Sequence, residues 1–155
     1  MTNNDIIRRI RYTFEFNDSK MIALFALADH ITTRAEISAW LKKEEDPDYI
    51  AMTDHQLALF LNGLINDKRG KKDGEQVPAE KRLNNNIIFR KLKIALNLID
   101  DDIIELLKLV DMRFSKHEIS AFFRNPNHPH YRVCHDQILR NFLHGMQIKY
   151  RIEEK

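Results

Sequence analysis

Three imidazoles and a thiol fall within eight residues, at His128, His130, Cys134 and His135. Such a donor set has the chemistry to hold zinc or another transition metal. Basic side chains form the other conspicuous grouping. Arg8, Arg9 and Arg11 lie close together near the start, Arg69, Lys71 and Lys72 in the middle, and Arg90, Lys91 and Lys93 soon after. Clustered guanidinium and ammonium groups suit the phosphates of a nucleic acid or the acids of a protein partner. Paired carboxylates for acid–base work would have to come from Asp18, Asp29, Glu36, Asp54 and their distant look-alikes Asp100, Asp111, Glu118 and Asp136. No Gly-rich phosphate loop, His-Glu-x-x-His or nucleophile elbow is present, and only four glycines are available to build a nucleotide cradle.

An internal repeat tests each of these groupings. Residues 3–69 align without a gap on residues 85–151, at an offset of 82, and 21 of the 67 pairs are identical. A fixed-offset repeat dictates architecture before any local feature does. Glu36-Ile37-Ser38-Ala39 returns as Glu118-Ile119-Ser120-Ala121, and Phe60-Leu61-Asn62-Gly63 as Phe142-Leu143-His144-Gly145. In the first repeat the places of the His/Cys cluster hold Asp46, Asp48, Met52 and Thr53, whereas Pro47 and Tyr49 recur as Pro129 and Tyr131. The loop is therefore expected to be held by its Pro and Tyr, with no metal and no cofactor. The basic triplet behaves differently, since Arg8, Arg9 and Arg11 recur as Arg90, Lys91 and Lys93. A matched basic face on two equivalent helices is the expectation, competing with simple solubilisation of a surface helix.

The elements that carry these residues read as helices throughout. Ile6, Ile10 and Phe14, and then Ile88, Leu92 and Leu96, share one helical face, with Asn3-Asn4 and Asn85-Asn86 as candidate N-caps. A second helix from Asp18 or Asp100 is apolar on most sides (Met21, Ile22, Leu24, Phe25, Leu27), so it is expected to lie centrally, against its copy across a two-fold axis. Thr33-x-x-Glu36 and Ser115-x-x-Glu118 fit the capping box and open a third helix. A fourth opens near Thr53-Asp54 or His135-Asp136, with Gly63 and Gly145 marking either a close approach or a helix end. Most of the shared acids then stand at helix starts, where the helix dipole accounts for them. Asp29 and Asp111 instead close the second helix and are expected to cap the turn into the third. Leu106 to Phe123 also has the rhythm of a helix-turn-helix, although Arg113 stands where the turn glycine belongs.

Two homologous four-helix units (3–69 and 85–151), joined by a polar linker at 70–84 and packed as a pseudo-two-fold pair, is the all-α architecture implied. The chain has one cysteine, no apolar run of membrane-spanning length and a net charge of +2, as expected of a cytoplasmic protein. The two-copy layout, the Glu-Ile-Ser-Ala box, the Pro-x-Tyr loop and Phe-Leu-Asn-Gly-Leu-Ile at 60–65 resemble the YehS-like family of small bacterial proteins, which carry a duplicated domain of unknown function. That resemblance implies no activity and no catalytic residues. The expectation is a non-enzymatic interaction module that binds a protein partner or itself. Its alternative is nucleic-acid binding through the basic first helices and linker or a degenerate helix-turn-helix. Neither involves a membrane.

Overall fold

A computed structural model describes residues 1–151 as eight α-helices. They are α1 (Asn3–Phe14), α2 (Asp18–Leu27), α3 (Arg34–Leu41) and α4 (Asp54–Arg69), followed by α5 (Asn85–Ala95), α6 (Asp100–Lys108), α7 (Lys116–Ala121) and α8 (Asp136–Tyr150). The described residues contain no strand. One continuous core runs through both repeats, with Phe25, Phe60, Phe89, Phe122 and Phe142 among its fully buried side chains.

The first helices do not start on the asparagines expected to cap them. Thr2 and Asn84 cap α1 and α5 instead, each accepting from a backbone N–H in the first turn. This frees Asn4 and Asn86 for a tertiary task. The Asn4 amide donates to Trp40 O (3.0 Å) and Ile50 O (2.9 Å) and accepts from Met52 N (2.9 Å). Asn86 repeats the pattern on Phe122 O, Arg132 O and Cys134 N at 3.0, 2.8 and 2.9 Å. Each amide thus satisfies a carbonyl at the end of the third helix and two backbone groups of the loop that follows it. The loop expected to rest on Pro47 and Tyr49 is held by an asparagine from the first helix, and both prolines are exposed.

The second helices also differ from expectation. Each packs on the fourth helix of its own repeat, α2 on α4 and α6 on α8. Glycine makes this possible. A Cβ on Gly63 would stand 1.8 Å from Leu24 O, and one on Gly145 2.4 Å from Leu106 O. Both glycines are therefore close-approach positions inside helices. The repeats meet instead through crossed pairs, α1 against α8 and α4 against α5. The broad apolar pattern of α2 overstated its burial: Met21, Leu24 and Phe25 are buried, but Ala23 and Ala26 are exposed.

Four helix ends close through a left-handed residue, at φ between 54° and 60°: Glu15, Asp29, Asn97 and Asp111. Behind each, a backbone N–H reaches back five residues, as in Phe16 N to Arg11 O and His30 N to Phe25 O. Asp29 and Asp111 thus turn the chain through their backbone.

Asn86→Ala leaves two buried carbonyls and one N–H unpaired, and is expected to lower stability by about 3 kcal/mol in urea unfolding; Asn84→Ala, at the exposed cap, should cost only about 1. Gly63→Ala must push α2 off α4, and thermal melts should show a loss of roughly 2 kcal/mol or more from overpacking.

Candidate functional site

The crossed packing creates two seams, and each is pinned by an aspartate at the start of a fourth helix. Asp54 accepts from its own repeat's Asn3 side chain (2.8 Å) and from the Leu83 N–H at the end of the linker (2.9 Å). Asp136 accepts from the Asn85 side chain (2.7 Å) and faces the Met1 ammonium at 3.3 Å. Leu83 and Met1 are equivalent positions, so the two seams share one design. The Asn3 bond and then the Leu83 N–H hold the Asp54 carboxyl below its usual range, and the Asn85 bond followed by the ammonium does the same to Asp136.

Beyond these pins the seams differ. Along the α4–α5 seam the linker folds back over the helices. Glu80 O lies 3.1 Å from His55 Nδ1, and Glu80 Oε1 lies 3.0 Å from Lys91 Nζ. Lys91 also donates to Asn62 Oδ1 at 2.6 Å and is buried. A buried ammonium is tolerated because a carboxylate and an amide oxygen meet it. Along the α1–α8 seam an open cleft of about 310 Å³ remains, lined by Met1, Asp5, Arg8, Arg9, Tyr12, Arg140 and Leu143. Tyr12 and Leu143 give it apolar surface, and three guanidiniums give it positive charge. Asp5 is its single carboxylate and is already engaged, accepting from Thr2 N at 2.9 Å and pairing with Arg8. Burial would raise the Asp5 pKa, but the Thr2 bonds and the Arg8 charge outweigh it and bring it down. At the end of the cleft the Arg151 guanidinium lies 3.5 Å over the Tyr12 ring and donates to Tyr12 O.

The basic residues singled out from sequence therefore serve several purposes. Arg8 donates to Lys42 O at 2.8 Å and Arg90 to Phe123 O at 3.1 Å, each closing the end of a third helix. Lys91 is buried under Glu80. Lys93 lies 3.7 Å from Asp100 Oδ1 and 4.5 Å over the Phe123 ring. Lys71 pairs with Asp29, while Arg69 and Lys72 are exposed on the far side of α4 and in the linker. Arg11 is half-buried. Of the nine, Arg8 and Arg9 line the cleft, and Arg140 joins them from a position where the first repeat has Ala58. That Ala-to-Arg difference was the available signal.

The His/Cys loop is built for the clamp. Cys134 is buried, and burial pushes its thiol up to about 12. His128 and His130 face each other at 5.6 Å between ring centroids, away from the sulfur's place in the core. Among the described residues no three His, Cys, Asp or Glu side chains are grouped to hold a metal ion. A shallow hollow beside the loop is lined by Asn85, Asn86 and Asp136, whose polar atoms are committed to the clamp and the pin. The helix-turn-helix candidate has seven residues between α6 and α7, and its second helix spans only Lys116–Ala121.

Asp54 has its pKa lowered on folding from an ordinary value of 3.8, so its contribution is fully present above that pH and is lost as pH falls below it, through the lowered value of the folded state. Asp54→Asn should therefore be less stable than the parent at pH 7, and the two denaturation midpoints should converge as pH drops below the carboxylate range. A gap of constant size down to pH 2 would show that the charge plays no part.

No helix of the described residues is long and apolar enough to cross a membrane. A family model described as a protein of unknown function (DUF1456) matches residues 3–70 and again residues 85–151. The uncharacterized protein YehS of Escherichia coli (strain K12) is 40% identical over 157 residues, covering 99% of each chain. No solved structure matches. By both the twice-matched model and the full-length relative, the chain belongs to the DUF1456 family of proteins of unknown function.

Proposed function

We propose that this protein is a non-enzymatic helical interaction module of the cytoplasm that binds a protein partner through the cleft between α1 and α8. The observation that carries the reading is the make-up of the cleft: three guanidiniums and two apolar side chains, with its only carboxylate already spent on Arg8 and Thr2. Arginine and tyrosine anchors are what protein interfaces favour. Among the described residues none of the lining side chains forms a nucleophile–base pair, the arrangement that covalent catalysis would use.

Affinity capture from lysate tests the proposal when run beside the double variant Arg9→Glu/Arg140→Glu. A partner retained by the parent should be lost, or cut at least about tenfold, by the charge reversal. Light scattering on the same samples identifies the case in which the partner is a second copy. Retention that is indifferent to the two substitutions would remove the cleft as the binding surface. An oligonucleotide titration provides the contrast: affinity falling steeply with salt, yet unaffected by the double variant, would point to Arg69, Lys72 and the linker as phosphate contacts instead.

A further inference from the structure

The 82-residue offset turns one seam into a template for the other. Leu83 corresponds to Met1, Lys91 to Arg9, Asn62 to His144 and His55 to Gln137. The correspondence is physical as well as formal, because the Leu83–Asp54 and Met1–Asp136 contacts match. On the α4–α5 side, the non-helical chain approaching Leu83 lies along the seam. It places the Glu80 carboxylate 3.0 Å from Lys91 Nζ and the Glu80 carbonyl oxygen 3.1 Å from His55. On the α1–α8 side, Arg9 stands in the place of Lys91, half-exposed in the cleft. Among the described residues no carboxylate comes within ion-pair distance of it. Arg140 adds a second guanidinium where the closed seam has the methyl of Ala58.

We infer that the α1–α8 cleft takes an extended acidic peptide segment from a partner protein, seated as the linker is seated on the opposite seam. This rests on the partner-binding reading above and names its chemistry. A side-chain carboxylate of the segment meets Arg9, whose planar fork can hold it through two parallel hydrogen bonds. A neighbouring acid lies toward Arg140. The segment's main-chain carbonyl accepts from the Gln137 amide, as Glu80 O meets His55. Leu143, buried, forms the floor beneath the segment, and the chain direction leads toward Met1. The matching position on the opposite seam is occupied by peptide, which favours an extended segment over an isolated phosphate.

Fluorescence anisotropy with the full chain tests this. The probe is a labelled peptide, Gln-Val-Pro-Ala-Glu-Asp-Asp, which copies residues 76–80 and extends them with two acids; its partner probe carries Gln and Asn at the acidic positions. Saturable binding of the acidic probe is expected. It should be about tenfold weaker for Arg9→Gln, weaker again for Arg9→Gln/Arg140→Gln, and absent for the neutral probe. Lys72→Gln removes the same charge outside the cleft and should bind as the parent does, and circular dichroism confirms that each variant is folded. No binding by the parent, equal binding of the neutral probe, or an equal loss in Lys72→Gln would each overturn the inference. So would a single-stranded oligonucleotide that binds in an Arg9-dependent way when the peptide does not. A lysate partner lost in Arg9→Glu/Arg140→Glu despite no peptide binding would leave the partner-binding reading standing and remove only the acidic segment.

Discussion

Two buried asparagines organise everything else in this molecule. Asn4 and Asn86 each close three backbone hydrogen bonds, one at the end of the third helix and two in a following loop that has no regular structure of its own. An irregular loop can approach the core only if its carbonyls and N–H groups find partners. One side-chain amide, with two donors and an acceptor, meets the need that strand pairing would otherwise meet. In doing so it fixes the first helix against the end of the third and the start of the fourth. Only then do Asp54 and Asp136 stand where Leu83 and Met1 can reach them.

Those aspartates convert two small units into one domain. Each receives a bond from its own repeat and one from the chain leading into the other's first helix, and the crossed packing of α1 on α8 and α4 on α5 buries a core continuous across both. A unit of about 67 residues buries too little on its own for more than thin stability. Each first helix packs on its own repeat through the asparagine clamp and on the fourth helix of the other, so the two four-helix units share one core. The glycines at 63 and 145 serve the same economy of space, letting α2 and α6 lie close enough to α4 and α8 to leave the fourth helices' other faces for the seams.

Much of this was legible in the sequence wherever the signal was local. The capping boxes at Thr33/Glu36 and Ser115/Glu118 form as their spacing requires, and the close approach at Gly63 and Gly145 was one of two readings their positions allowed. Long-range pairing was not legible. Asn4 looks the same in sequence whether it caps a helix or clamps a loop 36 to 48 residues away. The left-handed joints were hidden because Glu, Asp and Asn occupy them instead of glycine. The crossed seams were hidden for a related reason: an apolar face shows that a helix is buried but not against which partner. For the candidate site, the repeat pointed to Arg8 and Arg9 but not to Arg140, since a feature present in one copy alone looks like drift until the seam is seen.

Joining two like units by a single covalent linker has a consequence for how their surfaces can change. Free-standing copies related by a true two-fold would have to present both seams alike, and any substitution at one would be imposed on the other. The tether removes that identity. Its 76–83 stretch crosses one seam and engages the residues beneath it: Glu80 meets Lys91 and His55, and Leu83 meets Asp54. Among the described residues no such stretch crosses the opposite seam, and there Arg replaces Lys, Arg replaces Ala and His replaces Asn at positions 9, 140 and 144. Asymmetry in the covalent chain thus gives one face of a symmetric fold its freedom to specialise, while the other face keeps the pair together.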